Sequence, residues 1–112
     1  MRVIARSTLI EFVKNRVPRG QQAVVKSQLD AWYQTVRSAC WKNSAELKAH
    51  LQSTSILSAE RAVFNIKGND YRLIASINYA HQILFVKWLG THREYDEIDA
   101  RKVEYDEDRY LG

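Results

Sequence analysis

Apolar residues in the first half of this chain recur every three to four positions, the period of a helix with one buried face. Leu9, Ile10, Phe12 and Val13 form one such set after a short strand at residues 3–5. Ser7 or Thr8 is expected to cap that helix, and Val17-Pro18-Arg19-Gly20 ends it, because the residue before a proline avoids helical geometry. Val25, Leu29, Trp32, Tyr33 and Val36 form a second apolar stripe, predicting a helix over residues 21–38. Asn43 with Glu46 three positions later has capping-box spacing and opens a short helix over residues 44–51. Ser53, Thr54 and Ser55 read as loop.

In the second half the pattern becomes that of strands. Residues 61–66, 71–78 and 83–89 are rich in β-branched and aromatic side chains. The links between them, Lys67-Gly68-Asn69-Asp70 and Tyr79-Ala80-His81-Gln82, have hairpin length. Three consecutive antiparallel strands therefore follow two or three helices, and the N-terminal strand can join an edge of the meander. Residues 91–100 read as a turn and a short terminal helix. The fold class is α+β: helices packed on one face of a small, mainly antiparallel sheet. With 112 residues and no linker or repeat, the expectation is a single domain over 1–112, with 101–112 as an acidic tail.

Composition adds little to this, but charge does. The net charge of +4 conceals a segregation: residues 1–93 hold 14 Lys/Arg against five acids, whereas residues 94–112 hold three against eight. A basic body with an acidic tail suits a nucleic-acid binder. Cys40 is the single cysteine, which excludes an internal disulfide and reads as a small buried residue. Nothing approaches the roughly 18 apolar residues of a membrane span, and the start lacks a signal-peptide pattern, so a cytoplasmic protein is expected.

Candidate chemistry lies around the strands. Lys67, Gly68, Asn69 and Asp70 make a tight turn in which glycine, Asn69 and Asp70 tolerate unusual backbone angles. Arg72 lies inside a strand, where a cation needs water, a carboxylate or a phosphate beside it. Lys87 sits in the adjacent strand among Phe85, Val86, Trp88 and Leu89. It is either an edge residue that snorkels or part of a basic face shared with Arg72. Thr91-His92-Arg93-Glu94-Tyr95-Asp96 gathers an imidazole, a guanidinium, a phenol and carboxylates just after the last strand. Cleaving RNA without a metal needs a group that removes the 2′-hydroxyl proton, cations that stabilise the phosphorane, and an acid for the 5′-oxygen. His92 is the side chain suited to such proton transfer, unless it only caps the terminal helix. His50 and His81 stand alone, and the three histidines lack the close spacing of a zinc site. Trp88 and Tyr71 could stack on bases, whereas Trp32 belongs to a helical core stripe.

The runs VFNIKGNDYRLI (63–74), INY (77–79) and LGTHREYDEID (89–99), with WKNSAELK (41–48) and the leading strand, resemble the HigB toxins of type II toxin–antitoxin systems, within the RelE/ParE superfamily. The resemblance implies a RelE-like fold and a metal-independent, cofactor-free mRNA interferase that cleaves messenger RNA on the ribosome. It further implies neutralisation by a HigA-type helix-turn-helix antitoxin, through which alone operator DNA would be bound. By position it assigns His92, Arg72, Lys87 and Tyr95 to catalysis, and Lys67, Asn69 and Arg93 to RNA contact, with Asp96 completing the matched motif. Arginine is common in the family where this chain has Lys87. The competing readings are a non-catalytic ParE-like toxin, which poisons gyrase on the same fold, and a plain RNA-binding module.

Overall fold

The structure, a computed structural model, describes residues 1–103; the greater part of the acidic tail, 104–112, lies outside the described residues. The chain opens with β1 (Arg2–Ile4). It turns into α1 (Arg6–Arg16), which buries Thr8, Leu9 and Phe12. Neither Ser7 nor Thr8 caps this helix. Its N-cap is Ala5, with no side-chain bond, and Thr8 is a buried helical residue. Ile10, counted with the apolar stripe, is 56% exposed. Val17 adopts an extended backbone before Pro18. A 3-10 turn then leads into α2 (Gln22–Ser38), whose buried residues are Val25, Leu29, Trp32 and Val36. α3 (Ser44–His50) is capped by Asn43, whose side chain accepts the Glu46 N–H at 3.0 Å. The Glu46 carboxylate accepts from the N–H of Lys42, one residue further back than a full capping box requires.

Four further strands complete the sheet: β2 (Ser55–Ile56), β3 (Arg61–Ile66), β4 (Tyr71–Asn78) and β5 (Ile83–Thr91). Their spatial order is β1-β5-β4-β3-β2. β1 joins β5 in parallel, and every other pairing is antiparallel. Ser55, read as loop, is a strand residue paired with Val63. β4 and β5 carry a bulge: Ile74 pairs with Trp88 and Ala75 with Val86, leaving Lys87 as the extra residue. In the β3–β4 turn the left-handed angles fall on Lys67 (φ 52°) and Gly68 (φ 63°), not on Asn69 or Asp70. Glycine accepts such an angle freely, whereas Lys67 must be held there by its surroundings.

α1, α2 and α3 cover one face of the sheet, over Phe64, Leu73, Ala75, Leu84 and Leu89. The sequence pattern leaves the other face bare, but it is not. Val63, Ile74 and Trp88 are buried there beneath Tyr95, Ile98, Ala100 and Val103, with Leu57 at the side. Burial of each large apolar side chain stabilises by roughly 1.5–3 kcal/mol, which is what draws this short C-terminal stretch onto the sheet. Arg61 secures it by donating to the carbonyls of Ala100 (3.1 Å) and Val103 (2.8 Å), and Arg101 donates to that of Leu57.

Two minor expectations fail for local reasons. Cys40 is exposed, because Ala39 and Trp41 take the buried positions on either side of it in an extended stretch. His50 is exposed, as a surface histidine should be, but it does not stand alone: its Nδ1 accepts from Trp41 Nε1 at 3.0 Å.

Burial raises the hydroxyl pKa of Tyr71 and Tyr79 above the ordinary 10.0. A raised folded value means that the fold favours the neutral phenol. Its stabilising contribution is complete below about pH 10 and is lost as pH rises through the folded value. Denaturation midpoints should therefore hold level up to about pH 9 and fall above pH 10. Tyr71→Phe should flatten that alkaline fall; an unchanged slope would show that Tyr71 does not contribute to it.

Candidate active site

The start of β4, the end of β5 and the short helix that follows meet at one end of the sheet. That helix, α4 (His92–Tyr95), is opened by Thr91. The Thr91 hydroxyl accepts the Glu94 N–H at 3.1 Å, and the Thr91 N–H donates to the Glu94 carboxylate at 2.9 Å, a complete capping box. Thr91, not His92, is thus the cap. His92 is the first residue inside the helix, and its N–H donates to the Asp70 carbonyl at 3.1 Å. The imidazole is 46% exposed, with Nδ1 3.4 Å from the Asp96 carboxylate one helical turn on. A carboxylate beside Nδ1 favours one ring orientation and leaves Nε2 as the other nitrogen for proton transfer.

Arg72 lies across from Asn65 on β3 and Gly90 on β5, on the sheet face opposite the three helices. Tyr95 from α4 lies over it, its ring centroid 4.9 Å from the guanidinium carbon, and also leans on Trp88 at 6.2 Å. The Arg72 Nε is buried and has no hydrogen-bond partner among the described residues. An unpaired buried donor costs about 1–3 kcal/mol, so natural proteins rarely keep one without a use. A guanidinium held over a phenol ring can donate from its terminal N–H groups to a phosphate oxygen.

Lys87, the extra residue of the bulge, lies three positions along β5 from Gly90, the partner of Arg72. Its ammonium lies 5.7 Å from the ring of Phe85, which shares the Arg72 side of the sheet, opposite Ser76. Lys87 also lines a recess of about 340 Å³ with Ile4, Ser7 and Thr8. Lys67 is engaged elsewhere: its ammonium is 3.1 Å from the Asp70 carboxylate and 3.3 Å from the Gln21 side chain, towards the helical layer. Asn69 and Arg93 are exposed at the rim. The structure therefore brings Arg72, His92 and Tyr95 together at the sheet end and sets Lys87 and Lys67 apart from them.

Neither Trp88 nor Tyr71 is open to stack on a base. Trp88 is buried beneath the C-terminal stretch, and Tyr71 packs edge-on against Phe12 on the helical face. Asp96, one turn after His92, stands at the spacing of a helical pair and was legible in the sequence. The ion pair between Arg16 and Glu94, at 2.5 Å across 78 positions, left no local signal. Among the described residues, no group of three or more His, Cys, Asp or Glu side chains could hold a metal ion. Nor is any helix among them long and apolar enough to cross a membrane.

Comparison with known proteins adds a lineage to this geometry. Residues 25–98 match the family described as HigB_toxin, RelE-like toxic component of a toxin-antitoxin system. The chain is 30% identical over 77 residues to the mRNA interferase toxin HigB of Escherichia coli (strain K12), covering 67% of this chain and 74% of that protein. The mRNA interferase HigB of Escherichia coli O157:H7 and that of Shigella flexneri are similar to the same degree, at 30% over 77 residues.

Proposed function

This chain belongs to the HigB family of RelE-like toxins, and from that premise we propose that it is an mRNA interferase: the toxin of a type II toxin–antitoxin pair, cutting messenger RNA on the ribosome. The observation that carries the reading is that α4 brings both Tyr95, whose ring lies over the Arg72 guanidinium, and the exposed His92 to the same end of the sheet. Arg72 binds the scissile phosphate and stabilises the charge that grows on it. The 2′-oxygen attacks phosphorus, the bond to the 5′-oxygen breaks, and one proton leaves the 2′-hydroxyl while another reaches the departing oxygen. His92 handles one of these protons through Nε2, with Asp96 steering the ring. Tyr95 holds the Arg72 plane and lies beside the reacting nucleotide. Lys87, Lys67, Asn69 and Arg93 contact the RNA away from the cut. No step calls for a metal or another cofactor.

The same reading treats 1–112 as a single toxin domain acting in the cytoplasm. Its inhibitor is a HigA-type helix-turn-helix antitoxin, through which the pair reaches operator DNA.

Purified protein mixed with translating ribosomes tests this. Ribosome association should weaken steeply between about 50 and 200 mM salt, because each phosphate contact releases counterions. New messenger ends should appear at low salt. Salt-independent association with no new ends, together with inhibition of gyrase supercoiling, would replace this reading with a ParE-like one.

A further inference from the structure

α4 has four residues, far too few to hold helical shape alone, yet it carries His92 and Tyr95. Something must fix it against the sheet. Part of the answer is local: the Thr91 box and the bond from the His92 N–H to Asp70. The other part comes from the opposite end of the sequence. Arg16, in the last turn of α1, places Nη2 2.5 Å from the Glu94 carboxylate. Glu94 divides its two oxygens, Oε1 accepting from the Thr91 N–H and Oε2 taking Arg16. One carboxylate thus closes the cap of α4 and ties that helix to α1. Both side chains are about seven-tenths buried, with 28% and 31% exposure, which shields the pair from solvent screening.

Arg16 is itself well held. Its guanidinium carbon lies 6.0 Å from the Phe12 ring, and Phe12, 1% exposed, meets Tyr71 of β4 edge-on at 5.7 Å. Its position in the last turn of α1 also sets its charge against the negative end of that helix. The anchor therefore rests on core residues, and only its far end reaches α4.

We infer that Arg16, through its ion pair with Glu94, is a positioning residue for the reaction, holding α4 so that His92 and Tyr95 meet the phosphate on Arg72. The inference rests on the function proposed above and extends it to a residue outside the group assigned there to the reaction. Displacement of catalytic groups by about 1 Å can cost on the order of a hundredfold in rate, so a loosened α4 should be felt in chemistry more than in binding.

Two readouts on the full chain test this. In Arg16→Ala, hydrogen exchange at the Thr91, His92, Glu94 and Asp96 amides should quicken on the order of tenfold, while β4 amides keep their protection. Single-turnover cleavage of ribosome-bound messenger should fall by a similar factor, about tenfold, with the half-saturating ribosome concentration within about twofold of wild type. Arg16→Lys keeps the charge without the planar fork and should recover part of both losses. Glu94→Gln keeps an acceptor for Thr91 but loses the ion pair, and should reproduce Arg16→Ala. Exchange and cleavage both unchanged would overturn the inference, as would faster exchange with unchanged cleavage. Loss of cooperative unfolding in both Arg16→Ala and Glu94→Gln would overturn it too, making the pair a requirement of the fold. Exchange is read without RNA, so a wild-type protein that cuts no messenger would refute the proposed function while exchange still judged the anchor.

Discussion

Arg72→Ala should reduce cleavage of ribosome-bound messenger by about 10²–10³-fold, the loss typical of removing one preorganised donor from a developing oxyanion. The Arg72 backbone is fixed by β4 pairing opposite Asn65 and Gly90, and the Tyr95 ring lies against its guanidinium. It therefore needs little reorganisation when the phosphate charge grows. Alanine would also remove the unpaired Nε, which relieves a burial cost, and the contact with Tyr95, worth about 0.5–2 kcal/mol. These terms oppose each other, so thermal unfolding should stay cooperative with its midpoint little moved. Arg72→Lys should fall between, because an ammonium supplies charge without a bidentate fork. Adding Lys87→Ala to Arg72→Ala should abolish growth inhibition, with most of the loss already present in the single change, since Lys87 lines a separate recess with Ile4, Ser7 and Thr8. A folded Arg72→Ala protein that cleaves within about threefold of wild type would remove Arg72 from the site.

The second large effect is expected at His92. Glutamine keeps a similar size and a hydrogen-bonding end but moves no proton near neutral pH. Loss of a general acid or base typically costs 10²–10⁴-fold, and His92→Gln should lower cleavage by about that factor with ribosome binding near wild type. The fold should tolerate the change, since the backbone N–H of residue 92 keeps its bond to Asp70 and Thr91 still caps the helix. Asp96→Asn should cost less, because it weakens only the steering contact on Nδ1 at 3.4 Å. Should binding collapse together with cleavage in His92→Gln, the histidine holds the RNA and does not transfer the proton.

Local periodicity made the meander legible almost residue by residue. β3 and β4 begin and end where the β-branched runs do, because hairpin-length links leave little freedom in where a strand can turn. The pattern could not place the bulge at Lys87, since one extra residue leaves the apolar alternation nearly intact. Nor could it foresee the cover over Val63, Ile74 and Trp88, which comes from a stretch too short and too charged to read as core. The candidate site was visible as a list of residues. Its assembly was not: the Tyr95 stack on Arg72 and the Arg16–Glu94 pair join positions far apart in sequence, and such contacts exist only once the sheet has brought its ends together.

The end groups of the products give the most direct measurement of the central claim. Translating ribosomes are incubated with the protein at the lowest magnesium concentration that keeps them intact, and the new messenger ends are mapped and typed. Attack by the neighbouring 2′-oxygen predicts a 2′,3′-cyclic phosphate on one fragment and a 5′-hydroxyl on the other, formed at the wild-type rate without divalent ions beyond those that keep the ribosome intact, and slowed about 10²–10⁴-fold in His92→Gln. Ends bearing a 5′-phosphate and a 3′-hydroxyl, or cleavage that His92→Gln leaves untouched, would contradict the mechanism built on Arg72 and His92.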